Sequence, residues 1–195
     1  MTSIEASPPE APPRQWLSER QSATVVALLD AALEEVREVG FEKLTIRSVA
    51  QRAGLTHTTA YSYFTSKAHL ISELHWRQVQ SIPAPEVTAG ATFVDRVCVA
   101  FEGPAAALAS DPNLSRAVFL AIVSDEPDVT RLRSAVGGEL VERLRVALGP
   151  YDEPDLVSAL FMAYSGAMML AGTGTGDFLE VIPRMRMVAR LVDPT

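Results

Sequence analysis

The sequence predicts an all-α protein of about nine helices. Two observations carry this. Apolar residues recur at three- and four-residue spacing along almost every long segment, the period of a helix with one buried face. The breaks between those segments are marked by glycine, by proline, or by a residue that caps helix starts.

Residues 1–17 contain Pro8, Pro9, Pro12 and Pro13 among few apolar groups and read as a flexible arm. From Ser18 to Val39, Val25, Leu28, Leu29, Ala32, Leu33, Val36 and Val39 form a wide apolar stripe, and Gly40 ends the helix. Phe41 and Leu44 are expected to pack beneath the next helix.

The stretch from Thr45 to Lys67 organises the rest. Thr45 suits a helix N-cap, since its side-chain oxygen can accept a bond from a free amide of the first turn. Ile46, Val49, Ala50 and Ala53 supply one apolar face, and Gly54 stops the helix because glycine adopts positive φ without steric cost. Ala60 and Phe64 give a second short helix its packing side, leaving Thr56 to Thr59, Tyr61, Ser62 and Tyr63 outward. Ser66 caps a third helix. The pattern is helix, tight turn, helix, with elements too short to be stable alone. Such a second helix fits a major groove, where hydroxyls and an imidazole can meet base edges.

Ser66 to Ser81 forms a rod that links this unit to the remainder and ends at Ile82-Pro83-Ala84-Pro85. Ala91 to Phe101 is helical; Gly103-Pro104 is expected to interrupt it, with a kink and a further piece to Ala109. Asp111-Pro112 and Glu126-Pro127 open the next two helices. In the second of these Leu132, Val136, Leu140, Leu144 and Leu148 lie four apart, and Arg131, Arg133, Arg143 and Arg145 are expected on a solvated face. Glu153-Pro154 begins a helix to about Ala171 that is apolar nearly all round, so it must be buried on several sides. Phe178 to Val192 is the last helix, with Ile182, Met185, Ala189 and Val192 on one stripe. These last two helices carry more apolar face than one small bundle needs, which suggests a homodimer interface.

Composition excludes several classes. Apolar residues make up 48% and charged residues 21%, in keeping with a soluble globular chain. No stretch of about 20 residues is read as both uncharged and strongly apolar, so no membrane span or membrane partner is expected. No secretion signal is evident, and Cys98, the single cysteine, cannot form an intrachain disulfide, so a cytoplasmic location fits. The net charge of −7 is unevenly spread: Arg20 to Gln80 is +1, while Ser81 to Thr195 is −6. The acidity therefore lies outside the proposed binding unit, and a weakly basic head predicts modest nonspecific affinity for nucleic acid.

Catalytic readings fail on their own chemistry. Gly172 to Gly176 has no lysine or preceding strand to make it a phosphate loop. His57, His69 and His75 are not paired at four-residue spacing and have no cysteine nearby, so no metal site or cofactor is expected. No G-x-S-x-G elbow occurs. An enzyme is not expected.

Residues Thr24 to Leu74 resemble the DNA-binding domain of the TetR family of bacterial repressors. The resemblance rests on Gly40-Phe41, Leu44-Thr45, Val49-Ala50, Ala53-Gly54, Tyr61-Ser62-Tyr63-Phe64, Ser66-Lys67 and Leu70. It implies an arm at 1–17, a helix-turn-helix domain at 18–66 and a helical effector-binding and dimerisation domain at 67–195. It implies that Thr45, Lys67, Tyr61 and Tyr63 contact phosphate, that Arg47 reaches a base or phosphate, and that Thr56, His57, Thr58 and Thr59 face base edges of a double-stranded, pseudo-palindromic operator. It further implies a homodimer through the last two helices and a small-molecule effector, expected to be hydrophobic, in a pocket of the second domain. Phe101, Phe119, Phe161, Tyr164 and Met168 are the residues expected to line that pocket. An activator or an effector-independent DNA-binding protein with the same head is the alternative.

Overall fold

The computed structural model describes residues 19–194; the proposed arm at 1–17 lies outside them. Nine α-helices and two short 3₁₀ turns make up the described residues, which contain no strand. The helices are α1 (Glu19–Lys43), α2 (Ile46–Arg52), α3 (His57–Tyr61), α4 (Lys67–Ser81), α5 (Phe93–Ala109), α6 (Pro112–Ile122), α7 (Pro127–Leu148), α8 (Pro154–Gly172) and α9 (Val181–Leu191).

Two apolar clusters hold them together. The first joins α1 to α4 and continues into α6 and the start of α7, through Leu28, Leu44, Val49, Phe64, Leu70, Ile71, Leu114 and Val129. The second joins the end of α4 to α5, α7, α8 and α9, through Val79, Phe93, Phe101, Leu144, Leu160 and Met185. Helix α4 contributes to both, so it is the packed link between the two halves.

Polar bonds lock α6 onto α1. Arg37 pairs with Asp111 at 2.5 Å, Asn113 donates to the Arg37 carbonyl at 2.7 Å, and Arg116 pairs with Glu42 at 3.0 Å.

Gly40 breaks α1 as expected, at φ 75 and ψ 168, but one more helical turn follows it to Lys43. Four other expectations need correction. Pro104 does not interrupt α5, which runs unbroken to Ala109. The helix is held along its length by α7 and α9, and Gly103 lets Ile82 approach where a Cβ would lie 2.6 Å from its Cγ2. Tertiary packing thus outweighs the proline's lost bond. Arg143 is not on a solvated face: it is 5% exposed and donates to the carbonyls of Ile82 at 3.1 Å and Pro83 at 2.6 Å. It anchors the α4–α5 connection. The last helical segment is split, with a 3₁₀ turn at Phe178–Glu180 before α9. Finally, α8 is long and apolar enough by length and composition to cross a bilayer. In the fold only Val157, Leu160, Tyr164, Ala167 and Ala171 of α8 are buried, so within one chain the helix is covered on one side and not on several as expected.

Candidate nucleic-acid interface and effector cavity

The corner at Thr45 to Lys67 is built from local rules. Thr45 caps α2: its Oγ1 accepts from the Ser48 amide at 3.0 Å, and the Ser48 hydroxyl closes a capping box. Gly54 sits at φ 68, and the Leu55 amide folds back onto the Ala50 carbonyl at 2.9 Å. Thr56 caps α3 through the Thr59 amide, at 3.1 Å. Helix α3 is only five residues long. Phe64 lies past its end, buried, with its amide on the Ala60 carbonyl at 3.0 Å. A helix this short is stable only because Ala60 and Phe64 are packed against α1, α2 and α4. Arg52 fixes α2 to α1, pairing with Glu35 at 2.7 Å and Glu38 at 2.5 Å and lying 3.6 Å from Glu34.

The residues expected to meet DNA separate into two groups. His57, Thr58 and Tyr61 are exposed along α3, and Arg47 is exposed on the first turn of α2. Thr45, Thr56 and Thr59 have local work to do: the first two are caps, and Thr59 is half-buried with its hydroxyl 2.9 Å from that of Thr56. Tyr63 is half-buried against the first core cluster. Lys67 donates through Nζ to the carbonyls of Phe41 at 2.8 Å and Glu42 at 3.2 Å, and sits 4.6 Å over the Phe41 ring. An ammonium has three donors, so one remains for an outside acceptor.

The second half holds a half-open cavity of about 470 Å³ between α4, α5, α6, α7 and α8. Phe119, Phe161, Tyr164 and Met168 line it. Phe101 does not reach the wall; it stacks behind Tyr164, ring centroids 4.2 Å apart and planes 10° from parallel. Gly172 lies against the Phe119 ring, where a Cβ would collide with it. Burial raises the Tyr164 hydroxyl above the usual phenol range. His75 on α4 was not among the residues read as pocket lining. It is 8% exposed, and burial lowers its imidazole to about 4, so it is neutral. Arg133 stands at the rim, donating to the Ile122 carbonyl at 2.7 Å and the Ser124 carbonyl at 3.1 Å.

Residues 28–74 match the model of the bacterial regulatory proteins of the tetR family. An HTH-type transcriptional regulator of Mycobacterium tuberculosis, itself uncharacterised, is 35% identical over 175 residues, covering 89% of this chain and 82% of that one. This chain belongs to the TetR family. The HTH-type transcriptional repressor KstR of the same organism is 31% identical over 132 residues, 60% of each chain. A TetR regulator structure from Rhodococcus sp. RHA1 superposes with a TM-score of 0.72 at 23% identity, covering 91% of this chain and all of that one.

As a TetR-family protein it is a DNA-binding transcriptional regulator with an N-terminal helix-turn-helix, not an enzyme. Members of the family act as dimers. The late helices leave large apolar side chains uncovered within the chain. On α8, Met162 is 64% exposed and Met169 59%, and on α9 Leu191 is 80% exposed. His75 and Arg143 escaped sequence reading because the surroundings of each are set by segments far along the chain. The one signal available for His75 was its place on the apolar side of α4, one residue after Leu74 and four before Val79.

Proposed function

We propose that this chain is a transcriptional repressor that binds a pseudo-palindromic operator as a homodimer and is released by a small apolar effector. Helix α4 carries the reading. Its first residue, Lys67, holds the end of α1 in the head, and two turns later His75 and Val79 line the cavity. A ligand that fills the cavity acts on the same rod that positions the reading head.

The proposed division of labour is a head at 18–66 and an effector and dimer domain at 67–195. His57, Thr58 and Tyr61 reach base edges or the adjacent backbone from α3, with Thr59 supporting them. Arg47, Thr45, Tyr63 and the remaining N–H of Lys67 fix the register on phosphates. Such positioning contacts carry affinity, while base contacts carry sequence choice. The exposed methionines and leucines of α8 and α9 pair across a two-fold axis, which sets the separation of the two heads and therefore the half-site spacing. Dimerisation also doubles the cationic footprint of a head that is only weakly basic. A cytoplasmic location suits such a role. The relative named as a repressor supports repression over activation.

The effector acts by differential affinity. It shifts the dimer only as far as it binds one head separation better than the other. The test is selection of DNA fragments from the host genome by the purified protein, followed by footprinting and stoichiometry with and without candidate apolar ligands. The expected result is one enriched sequence with two symmetric half-sites, occupied by two chains and vacated on adding a ligand. Enrichment of no sequence would refute the reading.

A further inference from the structure

The floor and the mouth of the cavity differ in charge. The buried part of the wall is apolar apart from Ser115, His75 and Tyr164. None of these is charged. The Ser115 hydroxyl donates to the Leu108 and Asp111 carbonyls. Burial keeps the His75 imidazole neutral and the Tyr164 phenol protonated. The exposed wall residues are Val123, Arg133, Ser165 and Met169, and they mark the mouth. Arg133 is the one cation on the wall, and no carboxylate lies there among the described residues.

Arg133 is also held in place. Its Nη1 donates to the Ile122 carbonyl at 2.7 Å and the Ser124 carbonyl at 3.1 Å, and its Nη2 to the Thr130 hydroxyl at 3.3 Å. These ties fix the guanidinium at the end of α6, beside Ile122 and Val123 of the same wall. All three acceptors are neutral, and no acid of the described residues pairs with Arg133. Glu126 of the adjoining turn takes the Ser66 and Ser124 hydroxyls instead. A guanidinium has five N–H donors, so the Nε hydrogen and one on Nη2 remain for an outside acceptor.

We infer that the cavity takes an amphiphile: a hydrocarbon body of roughly 15 non-hydrogen atoms against the buried wall, ending in one anionic group, a carboxylate or a phosphate ester, held by Arg133 at the mouth. The size comes from 470 Å³ at about 30 Å³ per water-sized group. A charge placed deeper would be desolvated with no counter-ion beside it. At the mouth it keeps part of its water and gains charge-assisted bonds from a planar fork already oriented. A cationic end would meet Arg133 as a like charge. This inference rests on the cavity being the effector site and gives that mainly apolar effector one charged end.

The test is calorimetric titration of the full-length protein with decanoate, decyl phosphate and decanol, at two salt concentrations and again in Arg133→Gln. The glutamine amide can still donate to the Ile122 carbonyl, so a tie to α6 is kept while the charge is lost. The expected result is that at least one anion binds wild type, more weakly as salt rises. Its affinity falls about fivefold in Arg133→Gln, while that of decanol stays within about twofold. Arg133→Lys should restore most of the anion's affinity, and the tighter of the two anions names the headgroup. Should Arg133→Gln unfold, as judged by thermal denaturation, the wild-type salt dependence of anion against alcohol decides alone. Equal losses for anion and alcohol in Arg133→Gln, or anion binding indifferent to salt and to the variant, would overturn the inference and leave Arg133 as a tie for α6. Decanol binding with both anions excluded would overturn it while the effector reading stands. Binding of none of the three would overturn the effector reading as well.

Discussion

The corner at α2–α3 and the long helix α8 solve opposite problems. The corner is short, and every group in it has a local answer. Its starts are capped by Thr45 and Thr56, one of its two arginines, Arg52, is held by three glutamates of α1, and Ala60 and Phe64 are each 1% exposed. Helix α8 has 19 residues and far more apolar surface than its own chain covers. One face borders a cavity, with Met169 at its edge, and another presents Met162 and Leu170 outward. The head is complete within one chain; on the function proposed above, a second chain and a ligand finish the body. A reader of DNA must be rigid before contact, whereas a sensor must retain an alternative state that a ligand can select.

Substitutions can break this contrast. Removing apolar bulk from the corner is expected to act on the single chain: Phe64→Ala should cost about 3–5 kcal/mol in urea denaturation. The same kind of change on α8 should spare the fold and act on assembly. Met162→Lys with Leu170→Lys is expected to yield a folded monomer by sedimentation, with operator affinity down about a hundredfold. A dimer that survives the double change would move the interface elsewhere.

Acid sharpens the contrast from the body's side. The His75 imidazole titrates near 4 in the folded chain against an ordinary 6.5, so in that interval the unfolded chain binds more protons. Stability from the neutral ring is complete above the upper value and is lost as pH falls toward the lower one, on the order of 3 kcal/mol in all. His75→Phe should therefore flatten that part of the acid limb relative to wild type. Parallel acid curves for the two proteins would count against the buried neutral ring.

The smallest effects belong to the head's surface. Lys67→Ala should weaken all DNA sequences alike and lower the salt slope by about 1. Thr58→Ala should alter preference more than general affinity, by about 1 kcal/mol at the base it faces. A loss confined to the operator in Lys67→Ala would contradict its positioning role.

The same contrast explains what could be read from the sequence. The corner was legible almost residue by residue, because caps, a positive-φ glycine and a buried four-residue pair are local signals. Thr45, Gly54, Ala60 and Ser66 occupy the roles their chemistry predicts. The body was legible only as helices. Arg143 looks like a surface arginine until the carbonyls 60 and 61 residues away are in view. Pro104 looks like a break until α7 and α9 are packed along α5. Four of the five aromatic and methionine residues singled out for the pocket line it, but His75 needed five helices assembled before its missing partner was visible.

The most direct test of the central claim is a fluorescence-anisotropy titration of the purified protein against the DNA upstream of its own gene. Random competitor is present and two salt concentrations are used. Tight binding that falls with salt and survives the competitor is the predicted result. Binding no stronger than to random DNA, unchanged by Thr58→Ala and Lys67→Ala, would contradict the assignment of Thr45 to Lys67 as the reading head.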